Sequence, residues 1–354
     1  MTSLLKKAAL AFVTIGCAVA SAETRLQGGG ATFPNPLYQR WIKEYQKSHP
    51  DVQIDYQSIG SGGGIKGITD KTFDFAGSDA PMGKKEIAAA KEPLVHIPTA
   101  AGAVVLAYNI PNFKGDLKLD GETIADIYRG KITKWNDDKL KALNPDANLP
   151  ADPITPVYRT DGSGTTFIYT NYVCTQSEDF KGEIGAGKEV KWPVGQGGKG
   201  NEGVTAVVQQ TPGSIGYIEL NYALANKIPF ALLKNKDGEF VKASPQTVAN
   251  AGEGAVDALS KSLTASIWNQ PGKEAYPIAA YTYIIVYRDL SYLKDENKAK
   301  TLVDFITWAT HDGEKLALEM DYAPLSEGVQ KQVDAVIGTL EWNGKAMKPV
   351  AMEK

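Results

Sequence analysis

Three short loops rich in glycine and hydroxyl residues constrain the fold of this chain more than any other feature. They lie at 30–34 (Gly-Ala-Thr-Phe-Pro), 60–64 (Gly-Ser-Gly-Gly-Gly) and 161–165 (Asp-Gly-Ser-Gly-Thr). The second and third follow runs of alternating apolar residues, as in a strand, and all three precede runs with helical spacing. A chain that repeats strand, glycine turn and helix forms sheets joined by crossover helices. The sequence therefore predicts an α/β fold.

The first unit shows this pattern most clearly. Leu37, Trp41 and Tyr45 recur at helical spacing after the first loop, and residues 52–56 alternate as a half-buried strand. The other predicted elements are helices at 84–91, 123–128 and 302–308, strands at 154–158, 215–218 and 281–287, and an apolar run at 100–108.

Residues 1–22 have the pattern of a secretory signal. Lys6 and Lys7 precede an apolar stretch at 8–20, and the small residues of Ala-Ser-Ala at 20–22 form a cleavage site. Processing at Cys17, as in a lipoprotein, is the alternative. Cleavage after residue 22 leaves Cys174 alone, which excludes an intrachain disulfide and favours a small buried side chain. We therefore expect an exported protein.

Charge and motif content argue against several functional classes. The net charge of −3 does not favour nucleic acid or an anionic membrane as partner. The histidines His49, His96 and His311 are scattered and form no metal-ligand pattern. The glycines at 195–200 have dinucleotide-loop spacing, but they follow Trp-Pro without a good strand. No nucleophile–base pair is evident, so we expect no catalytic residues, no metal and no cofactor.

The three loops are candidates for binding an oxyanion. A helix N-terminus offers free backbone N–H groups, and glycine allows an anion to approach them closely. The alternative is local: Thr32, Ser163 and Thr165 are also typical N-caps, and Phe33 also a hydrophobic staple. Ser61 and its glycines could form only a turn. The coincidence of three such loops favours the anion site.

Arg159 strengthens that hypothesis. It ends a predicted strand two residues before Asp161, so both side chains lie on one side of the chain. A guanidinium beside a helix N-terminus can bind an oxyanion with two hydrogen bonds, and a neighbouring carboxylate can hold it in place. An exposed Arg–Asp pair of little energetic value is the alternative.

Asp79 gives the strongest indication of which anion is bound. A carboxylate repels an anion unless that anion donates a proton to it. Phosphate carries such a proton near neutral pH, whereas sulfate does not. Asp79 in the cleft would therefore accept from phosphate and exclude sulfate. As an alternative, Asp79 could cap the helix after Pro81.

Together these motifs resemble the periplasmic phosphate-binding proteins of phosphate-specific ABC transporters. The resemblance rests on the loops above and on residues 56–64, 74–81, 192–201 and 212–219, in the same order along the whole mature chain. The chain departs from the family at Gly62, where relatives often carry a second serine.

The resemblance implies a type II periplasmic-binding-protein fold with two α/β domains, a ligand cleft and a hinge. Residues 23–100 and 278–354 would form domain I, and residues 101–277 domain II. It also implies a periplasmic monomer that passes inorganic phosphate to inner-membrane permease subunits with a cytoplasmic ATPase. The implied ligand residues are Thr32, Phe33, Ser61, Asp79, Arg159, Ser163, Gly164 and Thr165, with Asp161 holding Arg159. A phosphomonoester hydrolase and a receptor for sulfate or molybdate remain alternatives.

Overall fold

The computed structural model describes residues 24–349; the predicted signal at 1–22, with Cys17, lies outside the described residues. The strands are β1 (Thr24–Gly30), β2 (Val52–Ser58), β3 (Phe75–Ser78), β4 (Leu94–Asn109), β5 (Lys118–Leu119), β6 (Thr155–Arg159), β7 (Gln196–Gly198), β8 (Ser214–Glu219), β9 (Leu232–Lys234), β10 (Phe240–Val241), β11 (Ala279–Tyr287), β12 (Glu341–Trp342) and β13 (Lys345–Ala346).

The helices alternate with these strands, as predicted. They are α1 (Asn35–Ser48), α2 (Ser61–Thr69), α3 (Lys84–Ala90), α4 (Gly121–Tyr128), α5 (Asp138–Leu143), α6 (Gly164–Gln176), α7 (Glu178–Glu183), α8 (Gly200–Gln210), α9 (Leu220–Ala225), α10 (Pro245–Glu253), α11 (Val256–Leu259), α12 (Glu296–Ala309), α13 (Glu314–Glu319) and α14 (Glu327–Ile337). A short 3₁₀ helix spans Leu290–Leu293.

One mixed sheet runs through the molecule in the order β2-β1-β3-β11-β4-β8-β6-β7. Strand β4 joins its two halves: residues 94–103 pair antiparallel with β11, and residues 104–109 pair antiparallel with β8. We call the part built on β2, β1, β3 and β11 the first lobe and the part built on β8, β6 and β7 the second lobe. The chain thus has the two-domain α/β architecture of periplasmic binding proteins.

Each lobe has its own aromatic core. In the first, Trp41 of α1 is fully buried and its Nε1 donates to the carbonyl of Gly313 at 2.8 Å, which ties the first helix to the C-terminal helices. In the second, buried Trp135 donates to the carbonyl of Gly213 at 3.1 Å. Burying such large rings accounts for much of the apolar stabilisation of each lobe.

Two sequence predictions need correction. Strand β4 begins at Leu94, six residues before the predicted apolar run, because its first residues alternate between buried and half-buried positions beside β11. Cys174 is half-buried on α6 rather than buried, so it is not a core side chain. Among residues 24–349 no helix combines the length and apolarity that a bilayer span requires.

The topology places the polar loops at two facing edges. Strands β1, β2 and β3 run parallel, so their carboxyl ends open at one edge of the first lobe. Strands β6, β7 and β8 also run parallel, and their carboxyl ends open at one edge of the second lobe. The loops that follow these strands are therefore where a ligand would be expected in an open α/β sheet.

Candidate functional site

The first loop positions Thr32 and Phe33 at the end of β1. Gly30 makes this possible, since its φ is 140° and a Cβ there would lie 2.1 Å from the carbonyl oxygen of Gly77. Both Thr32 and Phe33 are buried. Thr32 is not the N-cap of α1, because Pro34 takes that position and makes no side-chain cap. The Thr32 hydroxyl instead accepts from Asn201 of the second lobe, from N at 3.1 Å and from Nδ2 at 2.7 Å.

Ser61 brings the second loop into contact with the third. It is the first residue of α2 and is fully buried. Its Oγ accepts from the backbone N–H of Gly164 at 3.1 Å and from that of Asp79 at 3.2 Å, and it donates to Oδ2 of Asp79 at 3.4 Å. The hydroxyl of one lobe therefore lies on the helix N-terminus of the other.

Asp79 follows β3 and is 3% exposed. Its Oδ1 accepts from the Thr282 hydroxyl at 2.8 Å. Burial raises the pKa of Asp79 to about 7, although the Thr282 hydrogen bond, the charge of Arg159 and the Ser61 hydrogen bond each lower it. Asp79 is not a helix cap, since α3 begins only at Lys84. A buried carboxyl that exchanges its proton near neutral pH suits a ligand that does the same.

Arg159 ends β6 with its side chain 1% exposed, so the alternative of a surface pair is wrong. Its Nε donates to Oδ1 of Asp161 at 2.8 Å and its Nη2 to Oδ2, the expected two-fold pairing. Its Nη1 reaches the hydroxyl of Thr165 at 3.3 Å. Asp161 also accepts from the N–H of Gly200 at 2.9 Å. Burial alone would raise the pKa of Asp161, but the hydrogen bonds and charge of Arg159 outweigh it and hold that pKa below its usual range.

The N-terminus of α6 completes the cluster. Ser163 is the N-cap, accepting from Thr166 N at 3.0 Å, so the capping interpretation is correct for this residue. Thr165 is not the cap. Within residues 24–349 the backbone N–H groups of Phe33 and Thr165 donate to no protein acceptor. Thr165 lies in the first turn of α6 and Phe33 just before the N-cap of α1, and unpaired N–H groups at a helix start are those that bind anions.

Gly164 contributes by its lack of a side chain. A Cβ at this position would lie 2.4 Å from Oγ of Ser61 and 2.5 Å from Oδ2 of Asp79. The two lobes therefore meet closely here. Gly62 forms a second contact between the lobes, since its N–H donates to the carbonyl of Gly162 at 2.8 Å.

Sequence reasoning missed three residues of the cluster. Asn201 is the second residue of α8, and its Nδ2 links the hydroxyls of Thr32 and Thr165, at 2.7 and 3.1 Å. Its segment was considered as a dinucleotide loop and as part of the family resemblance, but not for ligand contacts; its position at the start of a helix was the available signal. Glu219 ends the motif at 212–219, which was used only for the family resemblance, and Thr282 lies in an apolar strand with no local signal.

The charges of the cluster are nearly balanced. Arg159 is paired with the carboxylate of Asp161. Of the other acids, Asp79 is surrounded by neutral hydroxyl and N–H donors, and Glu219 is fully buried. Within the part of the chain that the structure describes, no group of three or more His, Cys, Asp or Glu could hold a metal ion. The arrangement can bind an oxyanion by hydrogen bonds, with one position reserved for a group that donates to Asp79.

Comparison with known proteins identifies the family. A PBP superfamily domain matches residues 18–312. The phosphate-binding protein PstS of Pasteurella multocida is 41% identical over 336 residues, 95% of this chain and 95% of the relative. PstS of Haemophilus influenzae is 40% identical over 326 residues, 92% and 96% of the two chains. This chain belongs to the PstS family of phosphate-binding proteins.

Solved structures agree with this PstS-family fold. A periplasmic phosphate-binding protein, PfluDING, bound with phosphate, has a TM-score of 0.67 at 21% identity, covering 88% of this chain and 93% of its own. A phosphate ABC transporter substrate-binding protein from Clostridium perfringens with bound phosphate has a TM-score of 0.61 at 22% identity, covering 85% and 100%. At these identities the likeness concerns the fold alone.

Proposed function

We propose that this chain binds inorganic phosphate in the cluster between its lobes and delivers it to an ABC-type import permease without chemical conversion. The observation that carries the proposal is Asp79: a carboxyl, 3% exposed, among neutral donors and beside a guanidinium whose charge one carboxylate already balances. The names of the PstS relatives support the same ligand.

The chemistry of Asp79 favours phosphate over sulfate. At a pH above the pKa of Asp79, which is about 7, its carboxylate can only accept a hydrogen bond. Phosphate at that pH still has a P–OH group to donate. Sulfate has no proton, so its oxygens would face the carboxylate with no hydrogen between them. Burying a charged anion costs several kcal/mol unless every oxygen is hydrogen-bonded, so one repulsive contact discriminates strongly.

We assign the remaining contacts by the position of their donors. Arg159, the unpaired N–H groups and the hydroxyls around them would coordinate the other oxygens, and Asp161 would hold Arg159. The proposed ligand residues are Thr32, Phe33, Ser61, Asp79, Arg159, Ser163, Gly164 and Thr165.

The domain boundaries follow from the sheet. We propose that residues 23–100 with 278–354 form domain I and residues 101–277 form domain II. The change of partner along β4, from β11 to β8 between Ala103 and Val104, supports this division. Hinge bending between the domains would admit the ligand and close around it.

We further propose that the protein is a monomer in the periplasm, exported by the signal at 1–22. It would dock on inner-membrane permease subunits driven by a cytoplasmic ATPase.

Calorimetric titration of the mature protein, freed of ligand by partial unfolding, tests the proposal. We expect tight one-to-one binding of phosphate and no heat with sulfate at a pH well above 7, where Asp79 is ionised. Equal binding of both anions would contradict the role of Asp79. Absence of binding together with metal-dependent turnover of a chromogenic phosphate ester would indicate the hydrolase instead.

A further inference from the structure

Glu219 is a buried carboxyl that the proposed ligand contacts do not include. It ends β8, and none of its surface is exposed. Its Oε2 accepts from Asn221 N at 2.8 Å and lies 3.1 Å from the hydroxyl of Tyr322. Its Oε1 is buried and has no hydrogen-bond partner among residues 24–349. The Tyr322 hydroxyl also lies 2.7 Å from the carbonyl oxygen of Phe33.

The hydrogen bonds beside Glu219 have room for a proton on its carboxyl. The hydroxyl of Tyr322 lies between two oxygens, the carbonyl of Phe33 at 2.7 Å and Oε2 of Glu219 at 3.1 Å. The tyrosine has one proton for these two contacts, and the carbonyl of Phe33 can only accept. A proton on Glu219 gives each contact a hydrogen of its own. The chain then runs from the Glu219 carboxylic acid to Tyr322 and from Tyr322 to Phe33.

The surroundings of Glu219 agree with a neutral acid. A carboxylate with an unpaired oxygen at a fully buried position carries a large desolvation cost. Burial raises the pKa of Glu219 well above its usual range; hydrogen bonding with Asn221 and Tyr322 lowers it, and the charges of Asp321 and Asp79 raise it further. The other ionisable neighbour is Tyr222, whose pKa is also raised, first by burial. None of these groups offers a positive charge.

Glu219 also reaches the ligand cluster through its main chain. Its N–H donates to Oδ1 of Asn201 at 2.9 Å, and the amide of Asn201 in turn holds Thr32 and Thr165. The carbonyl of Thr32, the residue before Phe33, accepts from the hydroxyl of Tyr222 at 2.6 Å. Two consecutive carbonyls of the first loop are therefore held by tyrosine hydroxyls from elsewhere in the fold.

We propose that Glu219 is a protonated positioning residue, whose hydrogen-bond chain through Tyr322 holds the backbone of Thr32 and Phe33 in the conformation that receives phosphate. The inference rests on the proposed function of the cluster. Fixing a binding loop before the ligand arrives reduces the ordering cost of binding. Glu219 touches no ligand in this scheme and acts only through Tyr322 and Asn201.

Phosphate titration of the full mature protein with three variants tests the proposal. Glu219→Gln keeps a neutral donor for Tyr322, although its nitrogen cannot accept from Asn221, and should bind phosphate within about threefold of the unmodified protein. Glu219→Ala and Tyr322→Phe break the chain and should bind about tenfold or more weakly. Tyr108→Phe is the matched control, since it removes the hydroxyl of a buried tyrosine that donates to the carbonyl of Gly115 at 3.4 Å, remote from the cluster.

Infrared spectroscopy provides the readout that a purely structural role would not change. At a pH well above 7, where Asp79 is ionised, the C=O stretch of a buried carboxylic acid should be present and should disappear in Glu219→Gln. Its absence in the unmodified protein would overturn the proposal. So would folded Glu219→Gln binding as weakly as folded Glu219→Ala, or full affinity in Tyr322→Phe. Failure of the unmodified protein to bind phosphate would instead refute the proposed function, and the infrared band would still report the proton on Glu219.

Discussion

The second lobe contains two buried arginines in contrasting surroundings. The Arg129 side chain, 7% exposed, pairs with Asp126 at 3.1 Å, Asp179 at 2.9 Å and Glu183 at 2.7 Å, and Lys139 also contacts Asp126. The Arg159 side chain, 1% exposed, pairs with the single carboxylate of Asp161.

The difference shows why only one of them can serve an anion. Around Arg129 three carboxylates outnumber two cations, so a further anion would be repelled. Arg159 is hydrogen-bonded to one carboxylate, Asp161, and its other acidic neighbour is Asp79, whose pKa of about 7 leaves it partly protonated near neutral pH. Its Nη1 points toward the N-terminus of α6, where the N–H of Thr165 has no acceptor among residues 24–349. A buried arginine is thus a binding residue only when its carboxylate partners do not exhaust its charge and donors.

Removing Arg159 is expected to have the largest effect on affinity. Arg159→Ala should weaken phosphate binding by more than tenfold, about 2–3 kcal/mol, because a charge-assisted hydrogen bond is lost and Asp161 is left without its partner. Titration calorimetry measures the change in Kd, and circular dichroism checks that the variant is folded. An unchanged Kd would exclude Arg159 from the site.

Adding a methyl group at Gly164 should be the next most damaging change. The new Cβ would lie within 2.5 Å of both Ser61 Oγ and Asp79 Oδ2, so the lobes could not approach as closely. We expect Gly164→Ala to lose about 1–2 kcal/mol of phosphate binding free energy, in the range of overpacking effects. Gly182→Ala on α7 is the control, since a Cβ there meets no atom within 4 Å. Equal affinities in the two variants would mean that the ligand does not need this close contact.

The sequence predicted the features of the fold and of the site that depend on residues close together along the chain. The spacing of Leu37 and Trp41 predicted α1, and the third loop predicted the pairing of Arg159 with Asp161, because each depends on residues close along the chain. Asn201 joins residues 169 and 36 positions away, and Thr282 contacts Asp79 203 positions away. Contacts of that kind depend on how the lobes pack, which a single sequence does not reveal.

Replacing Asp79 should make stability less dependent on pH. Its pKa is raised from an ordinary value near 4 to about 7, so the folded, ligand-free protein binds more protons than the unfolded chain between these values. Its contribution to stability is thus fully present below the lower value and is lost as pH rises through about 7. Asp79→Asn should therefore melt a few degrees above the unmodified protein at alkaline pH and show no gain in acid. A gain that is the same at every pH would contradict this assignment.

The same substitution should change the choice of anion. Once protonated, Asp79 can donate to an oxygen of sulfate, so the preference for phosphate should decrease as pH falls through about 7. Asp79→Asn, which has a permanent donor, should tolerate sulfate at all pH values. Competition titrations of phosphate against sulfate across this range measure both effects. A preference that is unchanged by pH and by the substitution would show that another group excludes sulfate.

The smallest effect on affinity is expected at Arg129, which completes the comparison. Arg129→Ala should leave the Kd for phosphate within about twofold, because its carboxylate partners already exceed its charge and no ligand contact depends on it. Two of those partners, Asp179 and Glu183, are 73% and 50% exposed and can be solvated once released. The loss of stability should therefore be only about 1 kcal/mol, lowering Tm by a few degrees. If Arg129→Ala weakened phosphate binding as much as Arg159→Ala does, the comparison would be wrong. The number of neighbouring carboxylates would then not distinguish a binding arginine from a structural one.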